Sequence, residues 1–333
     1  MNATVKLAGM RRLAWIATAF ALLVIVFGAF VRLSNAGLSC PDWPTCYGKL
    51  TWPTQMHEIA GANAAFPDRP VEPDKAWREQ VHRMLVGGLS LFTFALAIWA
   101  VKRRRDLGAL TAAPCFAAVF IVFQALLGMW TVTLKLLPLV VAAHLLGGMT
   151  LFGLLAYTAL RLSLAPAGNV ENATLRCVVI VGVVLLAAQI ALGGWTSANY
   201  AALTCGTEFP TCQGQWVPPT DFANGFVLWR GIGVDYEGGV LDAPARTAIQ
   251  LAHRCGAVVV SAWLLLLIGG AAKRRETAPL AGLLALGLVL QVLLGIGNVV
   301  LGLPLPVATA HNGVAALLLG ALLALLVRLR RLA

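Results

Sequence analysis

The sequence is short of charge and of groups that do chemistry. Charged residues occupy 12% of its 333 positions, roughly half the share found in a soluble domain. There are five histidines, four tyrosines and 14 acids. No G-x-G-x-x-G run stands in a strand-to-helix context, so nothing in the chain resembles a nucleotide-binding motif. Any electrons it uses must therefore arrive from outside. A chain of this length would ordinarily be read as about two soluble domains. The composition rules that out, because apolar residues make up 59% and the mean hydropathy is +0.81.

What is abundant is long apolar runs. Eight of them, roughly 12–33, 79–101, 109–133, 138–161, 174–197, 246–270, 279–302 and 306–329, are bounded by charge, proline or glycine. Each is long enough to cross about 30 Å of hydrocarbon as a helix. The fold class is therefore an all-α polytopic membrane protein. Lys6, Arg11 and Arg12 precede the first run, as in a secretory signal. That run is about 20 residues long and lacks a small-residue cleavage site before Arg32, so an uncleaved first helix is expected.

The net charge of +11 is a topology signal. One set of links, including the basic runs Lys102–Arg105 and Lys273–Arg275 and the terminal Arg328, Arg330 and Arg331, carries 15 Lys/Arg against three acids, a net +12. The opposite side carries 10 against 11, a net −1. The basic side is cytoplasmic by the positive-inside rule, which puts both termini there, in a bacterial inner membrane. Little weight is left for a nucleic-acid partner.

Two long outer loops, 34–78 and 198–245, follow the first and fifth runs, which suggests duplication. Ser34 to Cys40 recurs loosely as Ser197 to Cys205, and Pro44-Thr45-Cys46 as Pro210-Thr211-Cys212. Glu79-Gln80-Val81-His82-Arg83 answers Gln250-Leu251-Ala252-His253-Arg254. Gln124…Gly128 before His144 answers Gln291…Gly295 before His311. The expected domains are an N-terminal half, 1–165, and a C-terminal half, 166–333, as tandem four-helix bundles. An even number of spans gives both one orientation, with a pseudo-twofold axis along the membrane normal.

Four histidines, His82, His144, His253 and His311, fall inside predicted spans, where an ionisable group is a functional candidate by default. They lie about three to seven residues past the outer starts of the second, fourth, sixth and eighth runs. Each half thus offers two imidazoles at similar depth on different helices. That geometry suits two axial ligands of one haem iron better than zinc or copper, for which further ligands are missing. His57 is a loop surface residue. Arg83 and Arg254 directly follow two of the histidines and could pair with haem propionates or snorkel to headgroups. Glu79 shares a helix face with His82, whereas its counterpart Gln250 cannot exchange a proton. This difference suggests one reactive and one electron-transfer site, although an acid near a helix start is also favourable in itself.

Seven cysteines fall into two classes. Cys115, Cys177 and Cys255 lie in spans and are expected as small core residues. Cys40/Cys46 and Cys205/Cys212 lie in the outer loops, where an oxidising compartment makes two intraloop disulfides the first expectation. A four-cysteine zinc site and a redox-active role are the alternatives.

With these residues in place, the chain resembles the haem A synthase family. The resemblance rests on Arg32-Leu33-Ser34-Asn35-Ala36-Gly37-Leu38-Ser39-Cys40-Pro41-Asp42-Trp43-Pro44-Thr45-Cys46, on Glu79-x-x-His82-Arg83, and on His144, His253 and His311. It covers nearly the whole chain. Members of that family oxidise the C8 methyl of haem O to a formyl group, giving haem A for cytochrome oxidase. The resemblance implies that His82 and His144 ligate or position haem O, and that His253 and His311 are axial ligands of a haem b. It also implies that Glu79 shuttles protons, and that the farnesyltransferase that makes haem O is a partner, alongside an external electron donor. A homo-oligomer is compatible with it. Family members vary in their loop cysteine pairs, so essential redox chemistry there is not expected. Two other classes compete. A di-haem cytochrome carrying electrons from quinol explains the histidines but not Glu79 against Gln250. A transporter predicts polar groups at mid-membrane, yet the polar residues gather at the outer ends.

Overall fold

A backbone in hydrocarbon must satisfy every N–H and C=O internally, and a helix does so within one segment. The computed structural model describes residues 7–164 and 173–330. Lys6, Arg331 and the expected boundary at 165/166 lie outside the described residues. Among those described, eight helices are long and apolar enough to span a membrane. They are α1 Ala8–Leu33, α2 Pro73–Lys102, α3 Ala112–Thr133, α4 Pro138–Ser163, α5 Ala173–Ala198, α6 Ala243–Ala272, α7 Ala278–Val300 and α8 Leu305–Arg328. The chain is a multi-pass, all-helical membrane protein.

Two helices start earlier than hydropathy suggests. α2 begins at Pro73 rather than near 79, and α6 at Ala243 rather than near 246. Proline in the first turn is pre-set for helix, lacking an N–H that would be unpaired there anyway. The polar turn Asp74-Lys75 therefore stays helical beyond the apolar run. On α6 the Asp242 side chain caps the start by accepting from the Ala245 N–H at 3.1 Å. The first long loop also contains a helix, Met56–Ala65.

The helices pack in two rings. α1 contacts α2 and α4, and α3 contacts both α2 and α4. In the second half α5 and α7 likewise each contact α6 and α8. Between the halves α4 packs on α8 and α5, and α1 packs on α8, the pattern a twofold relation would produce. The seam is made by Leu155 and Ala159 of α4 and by Leu318, Leu322 and Leu325 of α8, all fully buried or nearly so. Outward faces stay apolar, as at Leu91, Val119, Val258 and Leu266, because lipid rather than water covers them.

That outward face corrects one expectation. Cys177 and Cys255 are exposed and Cys115 is half-buried, so they are not core residues. In a membrane chain apolar character does not imply burial, since both core and lipid accept it.

The two long loops are closed by the Cys40–Cys46 and Cys205–Cys212 disulfides. Each closes over the same tight turn. Cys46 pairs with Lys49 and Cys212 with Gln215, around positive φ at Tyr47-Gly48 and Gln213-Gly214. The carboxylate of Asp42 accepts from the N–H groups of Tyr47 and Gly48 at 2.6 and 2.8 Å. Glu208 does the same for Gly214 at 2.6 Å. Arg69 ties the loops together through Asp235 and Glu237 at 2.6 and 2.9 Å.

Candidate functional site

The ring packing decides where the histidines meet. His82 on α2 and His144 on α4 stand diagonally across the first ring, as do His253 on α6 and His311 on α8 across the second. None of the four is fully covered by protein, and each is half-buried. The earlier starts of α2 and α6 put His82 and His253 about two and a half and three turns into their helices, rather than about one and two.

Every imidazole lies against a glycine of the preceding helix. A Cβ at Gly28 on α1 would stand 2.9 Å from Cε1 of His82. The same atom at Gly128, Gly193 and Gly295 would stand 3.3, 3.2 and 3.2 Å from Cε1 of His144, His253 and His311. A Cβ at Gly28 would force a shift, and at the other three positions the neighbouring ring would have to give by a few tenths of an ångström. Glycine here serves close approach, the reason it is tolerated inside a helix at all.

Three of those glycines follow a glutamine by four residues, one helical turn earlier on the same face. Gln124 Nε2 donates to the carbonyl of His144 at 3.0 Å. Gln189 Nε2 donates to the carbonyl of His253 at 2.9 Å and lies 3.1 Å from its Nδ1. Gln291 Nε2 lies 3.2 Å from Nε2 of His311. The position before Gly28 is Val24, which is buried and offers no polar group. Sequence reasoning used Gln124 and Gln291 only as repeat markers. It missed Gln189 and Gly28, although the third Gln-x3-Gly was there to be read.

Glu79 is 5% exposed and held by three donors. Arg83 Nη2 donates at 2.5 Å, the Cys40 N–H at 2.9 Å and the Ser39 hydroxyl at 3.1 Å. Arg83 also donates to the carbonyls of Asp42 and Thr45 at 2.7 and 2.5 Å. Arg254 donates to those of Pro210, Thr211 and Glu208 at 3.1, 3.0 and 3.0 Å. Both guanidinium groups thus clamp a disulfide turn onto the helix that carries a histidine. Contacts with loop carbonyls occupy part of each guanidinium's donor set. Short links fold the turn back over the helix start, which sequence spacing does not show. Gln250 is as buried as Glu79, but its Oε1 has no partner, and Thr204, at the place of Ser39, meets Thr247 instead.

Loop electrostatics follow from the turns. Burial raises the Asp42 carboxyl, but the Thr45 hydroxyl and the Gly48 and Tyr47 N–H groups outweigh it and hold it below the usual range. The Tyr47 phenol is pushed up to about 12 by burial first, then by Glu79, Glu72 and Asp42. His57 is exposed in the loop. Among the described residues no three His, Cys, Asp or Glu side chains cluster as a metal site.

The chain is similar over most of its length to known proteins. Residues 11–323 match the family described as cytochrome oxidase assembly protein, COX15-CtaA. A heme A synthase of Shewanella oneidensis is 47% identical over 304 residues, covering 90% of each chain. One from Rhizorhabdus wittichii is 28% identical over 323 residues, covering 90% of this chain and 88% of its own. One from Shouchella clausii is 28% identical over 266 residues, with coverage of 78% and 75%.

Proposed function

The chain belongs to the COX15-CtaA family of cytochrome oxidase assembly proteins, and from that premise we propose that it is a haem A synthase, oxidising the C8 methyl of haem O to a formyl group. The observation that carries the reading is an asymmetry between matching halves. Two diagonal imidazole pairs have the same glycine backing, but a buried carboxylate, Glu79, accompanies one and an amide, Gln250, the other.

The residues fit haem. Nδ1 of His82, His144 and His311 is buried without a partner, the rings keep uncovered surface, and the glycines leave them room. Two imidazoles on diagonal helices of a four-helix ring are a donor set for one iron. His82 and His144 would hold haem O as substrate, and His253 and His311 a resident haem b. When bound, haem b supplies one-electron chemistry. The protein's part is to fix the methyl group near Glu79, whose carboxylate exchanges protons as the substrate is oxidised. Arg83 and Ser39 keep that carboxylate aimed, and the disulfide turn above it limits water. Arg83 and Arg254 act as loop clamps; their remaining capacity for propionates is secondary.

A methyl-to-formyl conversion removes four electrons overall, so an external redox partner is needed. A farnesyltransferase making haem O is the natural donor of so insoluble a substrate. The locale is a bacterial inner membrane, with the basic links inside. The di-haem cytochrome gives Glu79 no task and is not favoured. The test is haem extraction and chromatography from cells supplying haem O, with and without this chain. Haem A formed only with the chain supports the synthase. Haem O persisting unchanged beside bound, quinol-reducible haem b would overturn it.

A further inference from the structure

We propose that a groove between α5 and α6, at the basic end of the second half, holds one anionic phospholipid by its phosphate and one acyl chain. The inference goes beyond the haem chemistry and does not depend on it.

The groove measures about 600 Å³. Its walls are Thr174 and Val178 of α5 and Trp263, Leu267 and Gly270 of α6. Trp263 closes the deep end. Its Nε1 donates to the Val178 carbonyl at 3.0 Å, and its ring lies against Gly182, where a Cβ would stand 3.5 Å from Cδ1. With its polar atom used, the indole presents only hydrocarbon. Lys273 and Arg274 stand at the other end, ten residues or more further along the chain, which is about 15 Å of helix. That depth is about half the hydrocarbon core, or one leaflet. The side toward the lipid opens at Leu266, which is exposed.

The first half fills the matching place with its own side chain. Trp99 follows His82 by 17 residues, as Gly270 follows His253, and Gly9 precedes Gly28 by 19, as Thr174 precedes Gly193. The Trp99 indole is pressed onto α1, where a Cβ at Gly9 would stand 2.7 Å from its Cη2. In the second half glycine replaces that indole, and a Cβ at Gly270 would meet nothing closer than Leu175 Cδ1 at 3.7 Å. Apolar walls gain dispersion contact only from a partner that fills the space between them. In a bilayer that partner is an acyl chain.

Charge then selects the headgroup. Lys273 is exposed and Arg274 half-buried, and the ion pairs among the described residues all lie elsewhere. Arg103, at the place of Arg274 in the first half, has Asp106 at 3.8 Å. The link from α6 to α7 is a tight turn: the Thr277 hydroxyl donates to the Ala271 carbonyl at 2.7 Å and the Thr277 N–H to the Arg274 carbonyl at 3.1 Å. The two cations are thus held at headgroup level over a groove one acyl chain long. Such basic pockets between spans favour anionic headgroups, whereas a zwitterionic lipid brings an ammonium group of its own toward them.

The experiment is native mass spectrometry of the full chain in mild detergent, titrated with phosphatidylglycerol or with phosphatidylethanolamine. It compares the parent with Gly270→Trp and with the double variant Lys273→Gln/Arg274→Gln. The parent should retain one phosphatidylglycerol in preference to phosphatidylethanolamine by about 30-fold, the product of two cations at the surface. The double variant should keep a lipid but lose the preference. Gly270→Trp, which supplies the filler that Trp99 provides in the first half, should lose the lipid. Equal retention of the two lipids by the parent, or a preference unchanged in the double variant, overturns the proposal. So does Gly270→Trp that keeps its lipid, or that converts an oligomeric parent to a monomer with lipid retention unchanged, since the groove would then seat a second copy.

Discussion

Glu79 is a buried acid whose nearest cation, Arg83, is also the clamp of the loop above it. A carboxylate removed from water needs such donors to be tolerated at all. Their presence therefore does not by itself separate a structural acid from a reacting one. Glu79→Gln does. The amide keeps an oxygen for the Cys40 N–H, and the disulfide still ties the turn, so haem content should stay at the parent level. Haem A formation should fall by about 100-fold or more, the range for loss of a positioned acid–base group. Full activity in that variant would remove Glu79 from the chemistry. The glycines allow a graded test of packing at the same scale. At Gly28 an added Cβ would meet His82 at 2.9 Å, which forces a shift, whereas at Gly128 it would meet His144 at 3.3 Å. Gly28→Ala should accordingly lower haem O retention more than Gly128→Ala. Equal retention in the two would mean that the His82 ring has slack that the close contact hides.

Among the elements, the spans were legible in the sequence because hydropathy and length suffice, but the starts of α2 and α6 were not. Proline and polar first turns extend α2 and α6 past the point where the apolar run ends. The Met56–Ala65 helix escaped notice for a related reason: it carries no strong apolar face. It is held by a polar device, the Glu58 side chain accepting from the N–H groups of Thr54 and Gln55 at 2.9 and 3.2 Å and pairing with Lys49. Those contacts, the Lys49 one foremost, hold the Glu58 carboxyl down at about 2 against an ordinary 4.5. A depressed folded value means the contribution is complete above the ordinary value and is lost as pH falls through about 2. Glu58→Gln should thus speed amide hydrogen exchange across residues 56–65 at neutral pH, and the gap from the parent should close as the pH approaches 2. A gap that persisted there would show that the ion pair contributes nothing. As an exposed pair it should also weaken with salt.

At the scale of the whole molecule, the recurrence of histidines, loop cysteines and glutamines suggests a duplication, and two like rings of helix contacts are the pattern it would produce. The pairing of His82 with His144 followed from the same repeat, but the diagonal placement of their helices in a ring needed the helix neighbours, which no spacing supplies. The loop clasp through Arg69, Asp235 and Glu237 joins residues more than 160 positions apart and left no pattern to read. Orientation rests on charge alone: net +12 on one set of links against −1 on the other. Cationic links resist translocation, so the Arg104–Leu107 turn should be cytoplasmic and the disulfide turn at Gln213-Gly214 external. Alkaline phosphatase folds only where its own disulfides form. Inserted between Gln213 and Gly214 it should be active, and inserted within 104–107 it should be inactive. The reverse pattern would invert the molecule and put both disulfides in a reducing compartment, where they would not persist.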